Sequence, residues 1–223
     1  MNLWKDDPEK QFAIKEDVIK NYFNRTRSLV FDEESAKKEE QALLPYIHLP
    51  VNAKILDLGC ANGRWMQILQ NQCSKYVGVD ISKNFIKDAK KRFRHNENIE
   101  FLCLPAEDYV GDEQFDLILI IGLITYMNDD AIRKMASHCK KMLKKGGMLI
   151  MRNVTLEDSG VKRKIYNNEP KTLFEKMLYY LGRFHSYQII RRSKEEELSF
   201  FKNFTLTHMD RIQGTGYRFY VFS

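Results

Sequence analysis

Short apolar runs alternate with amphipathic stretches through the middle of the chain. The runs are rich in Ile, Leu and Val, which is typical of strands buried on both faces. They predict strands over residues 54–58, 75–80, 98–103, 115–121 and 147–152. Helices are predicted between them, over residues 64–71, 83–94 and 129–143. Gly146 and Gly147 are expected to end the last of these helices. Because strands that alternate with helices require right-handed crossovers, the pattern predicts a doubly wound parallel α/β sheet.

The first 50 residues are predicted to add a helical extension to this sheet. Apolar residues recur near helical spacing over residues 9–27, with charged residues between them. A second helix is predicted from about Glu33 to Tyr46. Residues 1–50 are therefore expected to form an N-terminal helical cap on a single domain that spans residues 1–223.

The C-terminal segment predicts one helix and a hairpin. Ser193 and Glu196 have the spacing of a capping box, which predicts a short helix over residues 193–202. Apolar and aromatic residues over 203–211 and 216–222 flank a Gln-Gly-Thr-Gly turn, and they predict two antiparallel strands.

Length and composition limit the class of protein. A chain of 223 residues fits one domain with additions at its edge, and 43% hydrophobic with 30% charged residues excludes a disordered chain. The longest apolar run, residues 117–124, is too short to span a bilayer, and the first residues have no apolar signal core. We therefore expect a cytoplasmic protein. Four single cysteines without histidines at metal spacing predict reduced thiols and no metal site.

The segment from Lys54 to Trp65 has the pattern of a buried strand, a turn that contains glycines and the start of a helix. Gly59 and Gly63 bracket the turn, where a missing side chain allows positive φ and lets a ligand lie against bare peptide. This layout is typical of loops that bind a nucleotide-like cofactor. A dinucleotide fingerprint would need glycines where the chain has Ala61 and Arg64.

An acidic residue ends the next predicted strand. Asp80 lies 17 residues beyond Gly63, close to the spacing at which a doubly wound fold presents a carboxylate to a ribose. Such a carboxylate can accept hydrogen bonds from both ribose hydroxyls, each contributing about 1.5–3 kcal/mol. The alternative is that Asp80 caps the following helix, a role that Ser82 is also able to fill.

The chain has two motifs in order: the first is Asp57, Gly59, Ala61 and Gly63, and the second is Asp80. They resemble the first two motifs of the class I S-adenosylmethionine-dependent methyltransferases. Ala61 stands where the middle glycine of that family's loop usually stands. The resemblance implies S-adenosyl-L-methionine as cofactor and S-adenosyl-L-homocysteine as product. It also implies a Rossmann-like sheet of seven strands in the order 3-2-1-4-5-7-6, whose terminal β-hairpin supplies the reversed last strand.

The resemblance further implies which residues contact the cofactor. Pro105 replaces an acid that the family often places near the adenine, so Ala106, Glu107 and Asp108 remain as neighbours there. In resembling enzymes the N-terminal helices fold over the cofactor, although a purely structural helix pair is an equal alternative. The predicted cofactor-binding residues are Asp57, Gly59, Cys60, Asn62, Gly63, Asp80, Ile81, Ala106, Glu107, Ile121, Gly122, Tyr22 and Arg27.

The predictions for the binding of the methyl acceptor depend on an insertion in the chain. Residues 153–192 separate the fifth strand from the capped helix, where about 2–6 residues would suffice. An apolar stripe after Pro170 predicts a helix within them. Because the insertion begins at the carboxyl end of a strand, we predict that it forms a lid over the acceptor; a homodimerisation arm is the alternative. The candidate catalytic residues are Tyr126 and His185, and no base is assigned. The predicted substrate-binding residues are Tyr126, Arg152, Asn153, Tyr166, Tyr187, Arg191 and Arg192.

The function predicted from these features is methyl transfer to nitrogen or oxygen of a small or medium-sized metabolite. A net charge of +6 keeps an RNA or protein acceptor open as an alternative. Nucleic acid is the less favoured partner, because the Lys and Arg residues are spread along the chain. A further alternative is a subunit that binds the cofactor without turning it over.

Overall fold

The structure, a computed structural model, describes residues 33–156, 163–167, 173 and 188–223. These residues form a seven-stranded sheet and a separate pair of strands. The strands are β1 (Ala53–Leu58), β2 (Cys73–Asp80), β3 (Ile99–Cys103), β4 (Phe115–Ile121), β5 (Leu143–Val154), β6 (Arg163–Asn167), β7 (Gln188–Arg192), β8 (Leu206–Arg211) and β9 (Tyr217–Phe222).

The large sheet has the order β3-β2-β1-β4-β5-β9-β8. Its first five strands in sequence are parallel, and β9 runs antiparallel to both β5 and β8. Since β6 and β7 pair with each other outside this sheet, the last two strands of the large sheet are the C-terminal hairpin. The predicted order of seven strands is therefore confirmed.

Helices cover both faces of the large sheet. Leu43, Met66 and Ile86 belong to the core on one face, and Ile132 and Phe200 belong to the core on the other. The helices of the described residues are α1 (Glu33–Leu43), α2 (Arg64–Leu69), α3 (Lys83–Arg92), α4 (Asp129–Met142) and α5 (Lys194–Phe200). In the part of the chain that the structure describes, no helix is both long and apolar enough to cross a membrane.

The predicted end of α4 at Gly146 and Gly147 is wrong. The helix ends at Met142, and Leu143 already has the extended backbone of β5, with φ −79° and ψ 123°. Leu143 lies opposite Phe115 in β4, and the register shifts before regular pairing resumes. The two glycines therefore lie in an irregular part of β5, because pairing with the sheet takes over from the helix before either glycine is reached.

The segment between β5 and α5 contains the β6–β7 pair, for which the sequence pattern gave no prediction. The strand β7 leads directly into α5, whose predicted N-cap is confirmed, since Ser193 Oγ accepts a hydrogen bond from the Glu196 N–H at 3.3 Å. The helix predicted over residues 9–27 lies outside the described residues. The same is true of all but Leu173 of the helix predicted after Pro170.

Candidate active site

The glycine loop follows β1 at the edge of the sheet where the parallel strands end. Gly59, Ala61 and Gly63 have φ angles of +81°, +48° and +82°, so left-handed backbone recurs at alternate positions. The N–H groups of Gly59 and Cys60 both donate to the Val79 carbonyl of β2, at 2.8 and 3.0 Å. The loop is thus fastened to the end of the neighbouring strand, which holds its bare peptide at this edge.

Asp80 joins the glycine loop to the start of α3. Its Oδ2 accepts a hydrogen bond from the Ala61 N–H at 3.0 Å, and its Oδ1 accepts one from the Ser82 N–H at 2.8 Å. Ser82 caps α3 with its own hydroxyl, which accepts from the Phe85 N–H at 3.3 Å. Each oxygen of the Asp80 carboxylate has a further lone pair. The carboxylate can therefore accept two more hydrogen bonds, and burial is the main cause that raises its pKa.

Asp57, at the end of β1, is buried beneath the loop. Its Oδ2 accepts a hydrogen bond from the Tyr76 hydroxyl. Burial raises the pKa of Asp57 to about 7, and the hydrogen bond from Tyr76 opposes the rise. The neighbouring Cys60 thiol is also buried, and burial raises its pKa well above the ordinary value. Cys60 therefore stays protonated at neutral pH and serves as a packing residue.

We expect the native protein to lose stability as pH rises, and we expect Asp57→Asn to abolish this pH dependence. Because the folded pKa of about 7 lies above the ordinary value of 3.8, the folded state binds more protons than the unfolded chain between those values. Native stability should fall by about 1.4 kcal/mol per pH unit within this window and level off above it. The measurement is urea unfolding of both proteins across the window. A difference that does not change with pH would contradict the expectation.

The residues predicted to lie near the adenine form a 3₁₀ turn, Ala106–Asp108, after β3. Ala106 is buried and Glu107 is partly exposed. The Asp108 carboxylate forms an ion pair with Lys134 Nζ of α4 at 2.6 Å. This ion pair is half-exposed and joins the turn to α4.

The turn after β4 brings Ile121, Gly122 and Tyr126 to the same edge. Gly122 has a φ of +71°, and its N–H donates to the Arg152 carbonyl of β5 at 2.7 Å. Tyr126 ends a short 3₁₀ turn and is 39% exposed. A large aromatic side chain that is partly open at the sheet edge is compatible with a wall of a binding site.

Arg152 and Asn153, two predicted substrate-binding residues, are buried on opposite faces of β5. The Arg152 guanidinium forms an ion pair with Glu39 of α1. Asn153 Nδ2 donates to Glu197 Oε1 of α5 at 2.7 Å. Both partners are fully buried glutamates that the sequence pattern had not singled out. Each polar side chain at this strand end is thus engaged inside the protein.

Arg192 fastens β7 to the turn that carries Tyr126. Its guanidinium donates to the carbonyls of Ile124 and Met127, at 2.9 and 2.8 Å, and to Asp129 Oδ1 at 2.9 Å. Arg192 has no exposed surface. Its contacts attach the β6–β7 pair to the core. Its contribution to the site is to position the Tyr126 turn.

The structure gathers most of the predicted cofactor residues at one edge. They are Asp57, Gly59, Cys60, Asn62, Gly63, Asp80, Ile81, Ala106, Glu107, Ile121 and Gly122. On the acceptor side Arg191 is partly buried in β7, and Tyr166 lies in β6 opposite Ile189. Four predicted residues lie outside the described ranges: Tyr22, Arg27, His185 and Tyr187. Among the described residues, no group of three His, Cys, Asp or Glu side chains is placed to hold a metal ion.

Comparison with known proteins identifies a domain within this chain. A family model described as a methyltransferase domain matches residues 55–147. Phosphoethanolamine N-methyltransferase 3 of Arabidopsis thaliana is 23% identical over 176 residues, which cover 72% of this chain and 36% of that protein. Ubiquinone biosynthesis O-methyltransferase of Coxiella burnetii is 29% identical over 116 residues, which cover 50% of this chain and 49% of that protein. The chain thus spans between about a third and a half of these relatives.

A solved structure shares the fold. The N-methyltransferase NodS from Bradyrhizobium japonicum, in complex with S-adenosyl-L-homocysteine, matches with a TM-score of 0.58 at 17% identity, and the match covers 85% of each chain. The matched domain begins in β1 and includes the glycine loop, Asp80 and the turn after β4. Residues 55–147 therefore form a methyltransferase domain, and the chain has the Rossmann-like fold of S-adenosylmethionine-dependent class I methyltransferases.

Proposed function

We propose that this protein transfers a methyl group from S-adenosylmethionine to nitrogen or oxygen of a small or medium-sized metabolite. The observation that carries the proposal is the Asp80 carboxylate, which two backbone N–H groups fix beside a loop of left-handed residues. A carboxylate with lone pairs to spare suits a ribose diol, and bare peptide suits the close approach of a nucleoside-like group. The residues present therefore fit the cofactor that the family implies.

The residues divide the work of binding that cofactor. Asp80 would hold the ribose, Ala106 and Glu107 would border the adenine, and the glycine loop and Gly122 would border the methionine part. The bound cofactor supplies a methyl group on a sulfonium, and its transfer is an in-line displacement whose rate depends mainly on positioning. The Tyr126 ring, if close to the sulfonium and desolvated, would favour the cation by up to about 2 kcal/mol.

A small acceptor is supported by the relatives. One relative is named for N-methylation of phosphoethanolamine and another for O-methylation in ubiquinone biosynthesis. Both acceptors are small molecules, and they differ in the atom methylated, so nitrogen and oxygen both stay open for this chain. An RNA or protein acceptor remains the alternative, as does a homodimer formed through residues 153–192. A cytoplasmic location stays a prediction.

The test is methyl transfer with a radiolabelled methyl donor and fractionated cell extract. Native protein is expected to place label in the small-molecule fraction, and Asp80→Ala is expected not to do so at the same donor concentration. Label confined to RNA or protein would replace the proposed acceptor class with that class. Binding of the cofactor without labelling of any fraction would favour a non-catalytic subunit.

We also propose that the insertion 153–192 covers the acceptor. The β6–β7 pair within this insertion allows the design of a deletion with defined ends. Asn167 lies directly opposite Gln188 in the β6–β7 pair, so an Asn-Gly turn in place of residues 168–187 would close a two-residue hairpin. The β6–β7 pair and its Arg192 contacts are kept in this variant.

We expect the deletion variant to bind S-adenosylhomocysteine with native affinity and to lose turnover, without a change in oligomeric state. Calorimetry, size-exclusion chromatography and the labelling assay measure the three properties. Full turnover on the native acceptor would rule out the lid, and loss of a native dimer would support the dimerisation arm.

A further inference from the structure

A fully buried carboxylate lies where α1 meets the carboxyl edge of the sheet. Glu39 has no exposed surface, although the other charged residues of α1 are all at least partly exposed. Its Oε1 accepts a hydrogen bond from Arg64, and its Oε2 forms an ion pair with Arg152. One acid on the N-terminal helix therefore joins two arginines that come from different parts of the site.

The first arginine belongs to the glycine loop. Arg64 begins α2 and directly follows Gly63, the last left-handed residue of the loop. Its Nη1 donates to Glu40 Oε1 at 2.9 Å, so two consecutive glutamates of α1 hold one guanidinium. The direction in which α2 leaves the loop is thereby fixed relative to α1.

The second arginine belongs to the turn after β4. The Arg152 guanidinium lies over the Tyr217 ring, with Cζ 4.3 Å from the ring centroid. It also lies against Gly122, where an added Cβ would be 2.9 Å from Nη1. In the proposed function, Gly122 borders the methionine part of the cofactor. Glu39 thus holds a side chain that fills the space behind this turn.

Glu39, Glu40, Arg64 and Arg152 form a cluster whose charges cancel. Stabilisation of the fold alone is a weak explanation for this cluster. Glu39 and Glu40 together match the charges of Arg64 and Arg152. Buried ion pairs of this kind are often no more stabilising than apolar residues packed into the same volume. Because Arg152 already has its counterion inside the protein, the cluster suits a positioning role better than capture of an acceptor's anionic group.

We propose that Glu39 is a positioning residue for the cofactor. Through Arg64 it fixes the glycine loop, and through Arg152 it fixes the turn at Gly122, so that α1 and both loops form one unit. Since Glu39 has no exposed surface, it acts through the arginines and does not touch the ligand. This inference rests on the proposed function, because it concerns the same cofactor site.

The test is calorimetric titration of the full chain with S-adenosylhomocysteine. Glu39→Gln keeps the shape of the side chain and removes its charge. We expect this variant to bind at least about tenfold more weakly than the native protein, a change of about 1.4 kcal/mol, at a temperature where both are folded. Circular dichroism at that temperature establishes that the molecules titrated are folded.

A matched control lies at the opposite edge of the sheet. Asp116, near the start of β4, is also a carboxylate paired with a cation, since Lys144 Nζ lies 2.8 Å from its Oδ2. Asp116→Asn is expected to lower the melting temperature and to leave the affinity for S-adenosylhomocysteine within about twofold of native, because its partners Lys54 and Lys144 lie at the starts of β1 and β5, away from the cofactor loops.

A second variant keeps the test decisive if Glu39→Gln does not fold. Arg152→Lys retains the charge and loses the planar fork that matches a carboxylate, and we expect weaker binding here too, by about threefold to tenfold. Native affinity in folded Glu39→Gln, or in Arg152→Lys if the former is unfolded, would overturn the inference and leave the proposed function intact. An equal loss in Asp116→Asn would also overturn it. Failure of the native protein to bind would reject the proposed function, and this inference with it.

Discussion

Asp80→Ala is expected to weaken binding of S-adenosylhomocysteine by about 30-fold to 1000-fold. Hydrogen bonds from two ribose hydroxyls to a charged carboxylate are lost, a cost of about 2–4 kcal/mol. The same carboxylate accepts the N–H groups of Ala61 and Ser82, so its removal also frees the glycine loop at its left-handed middle residue. Both effects act in the same direction, and calorimetry measures their sum.

Asp80→Asn removes the charge and keeps only one of the two contacts to backbone N–H groups, because Asp80 accepts from both Ala61 and Ser82. Asparagine keeps one acceptor oxygen and the size of the side chain, and it loses the charge. We expect a smaller loss of affinity than in the alanine variant. If Asp80→Ala is folded and binds with native affinity, the ribose assignment is contradicted.

Gly63→Val is expected to destabilise the fold by about 2–5 kcal/mol. The φ angle of +82° costs a residue with a side chain about 1–2 kcal/mol. A Cβ at this position would also lie 2.7 Å from the Phe93 ring and 3.1 Å from the Phe101 ring. Such overpacking adds about 1–3 kcal/mol. The predicted collision is thus with the core beneath the loop, and the melting temperature should fall along with the cofactor affinity.

Gly146→Val is the matched control for that variant. Gly146 has nearly the same φ, +80°, but an added Cβ there meets no atom of the described residues within 4 Å. Its variant should show the backbone cost alone, and the affinity for S-adenosylhomocysteine should stay native. Equal losses of stability in the two variants would contradict the role assigned to the Phe93 and Phe101 rings.

Local patterns were enough to predict the sheet and the cofactor loop. The five parallel strands are dense in branched apolar residues, and each is closed by turn residues, so their number and parallel direction followed from alternation with helices. Their order in the sheet was implied by the resemblance to the methyltransferase family. The sequence left both Asp80 and Ser82 as candidates for the N-cap of α3. Only the structure assigns that cap to the Ser82 hydroxyl and shows the Asp80 carboxylate fastened to the Ala61 N–H.

Features that depend on distant pairing had no local signal. Glu39 lies in a run of charged residues that has the pattern of a solvated helix face, and its burial follows from Arg64 and Arg152, which are brought to it by β1, α2 and β5. The β6–β7 pair joins segments about 20 residues apart that carry several charged or polar side chains. Arg152 and Asn153 were predicted to share one site, whereas alternation along a strand places them on opposite faces.

The most direct test of the account is calorimetric titration of the native protein with S-adenosylmethionine, with S-adenosylhomocysteine and with a nicotinamide dinucleotide. We predict saturable binding of the first two and none of the third, because the Ala61 loop and Asp80 match the methyl donor and lack the dinucleotide fingerprint. No binding of either sulfur compound at millimolar concentration, or binding of the dinucleotide in their place, would contradict the account.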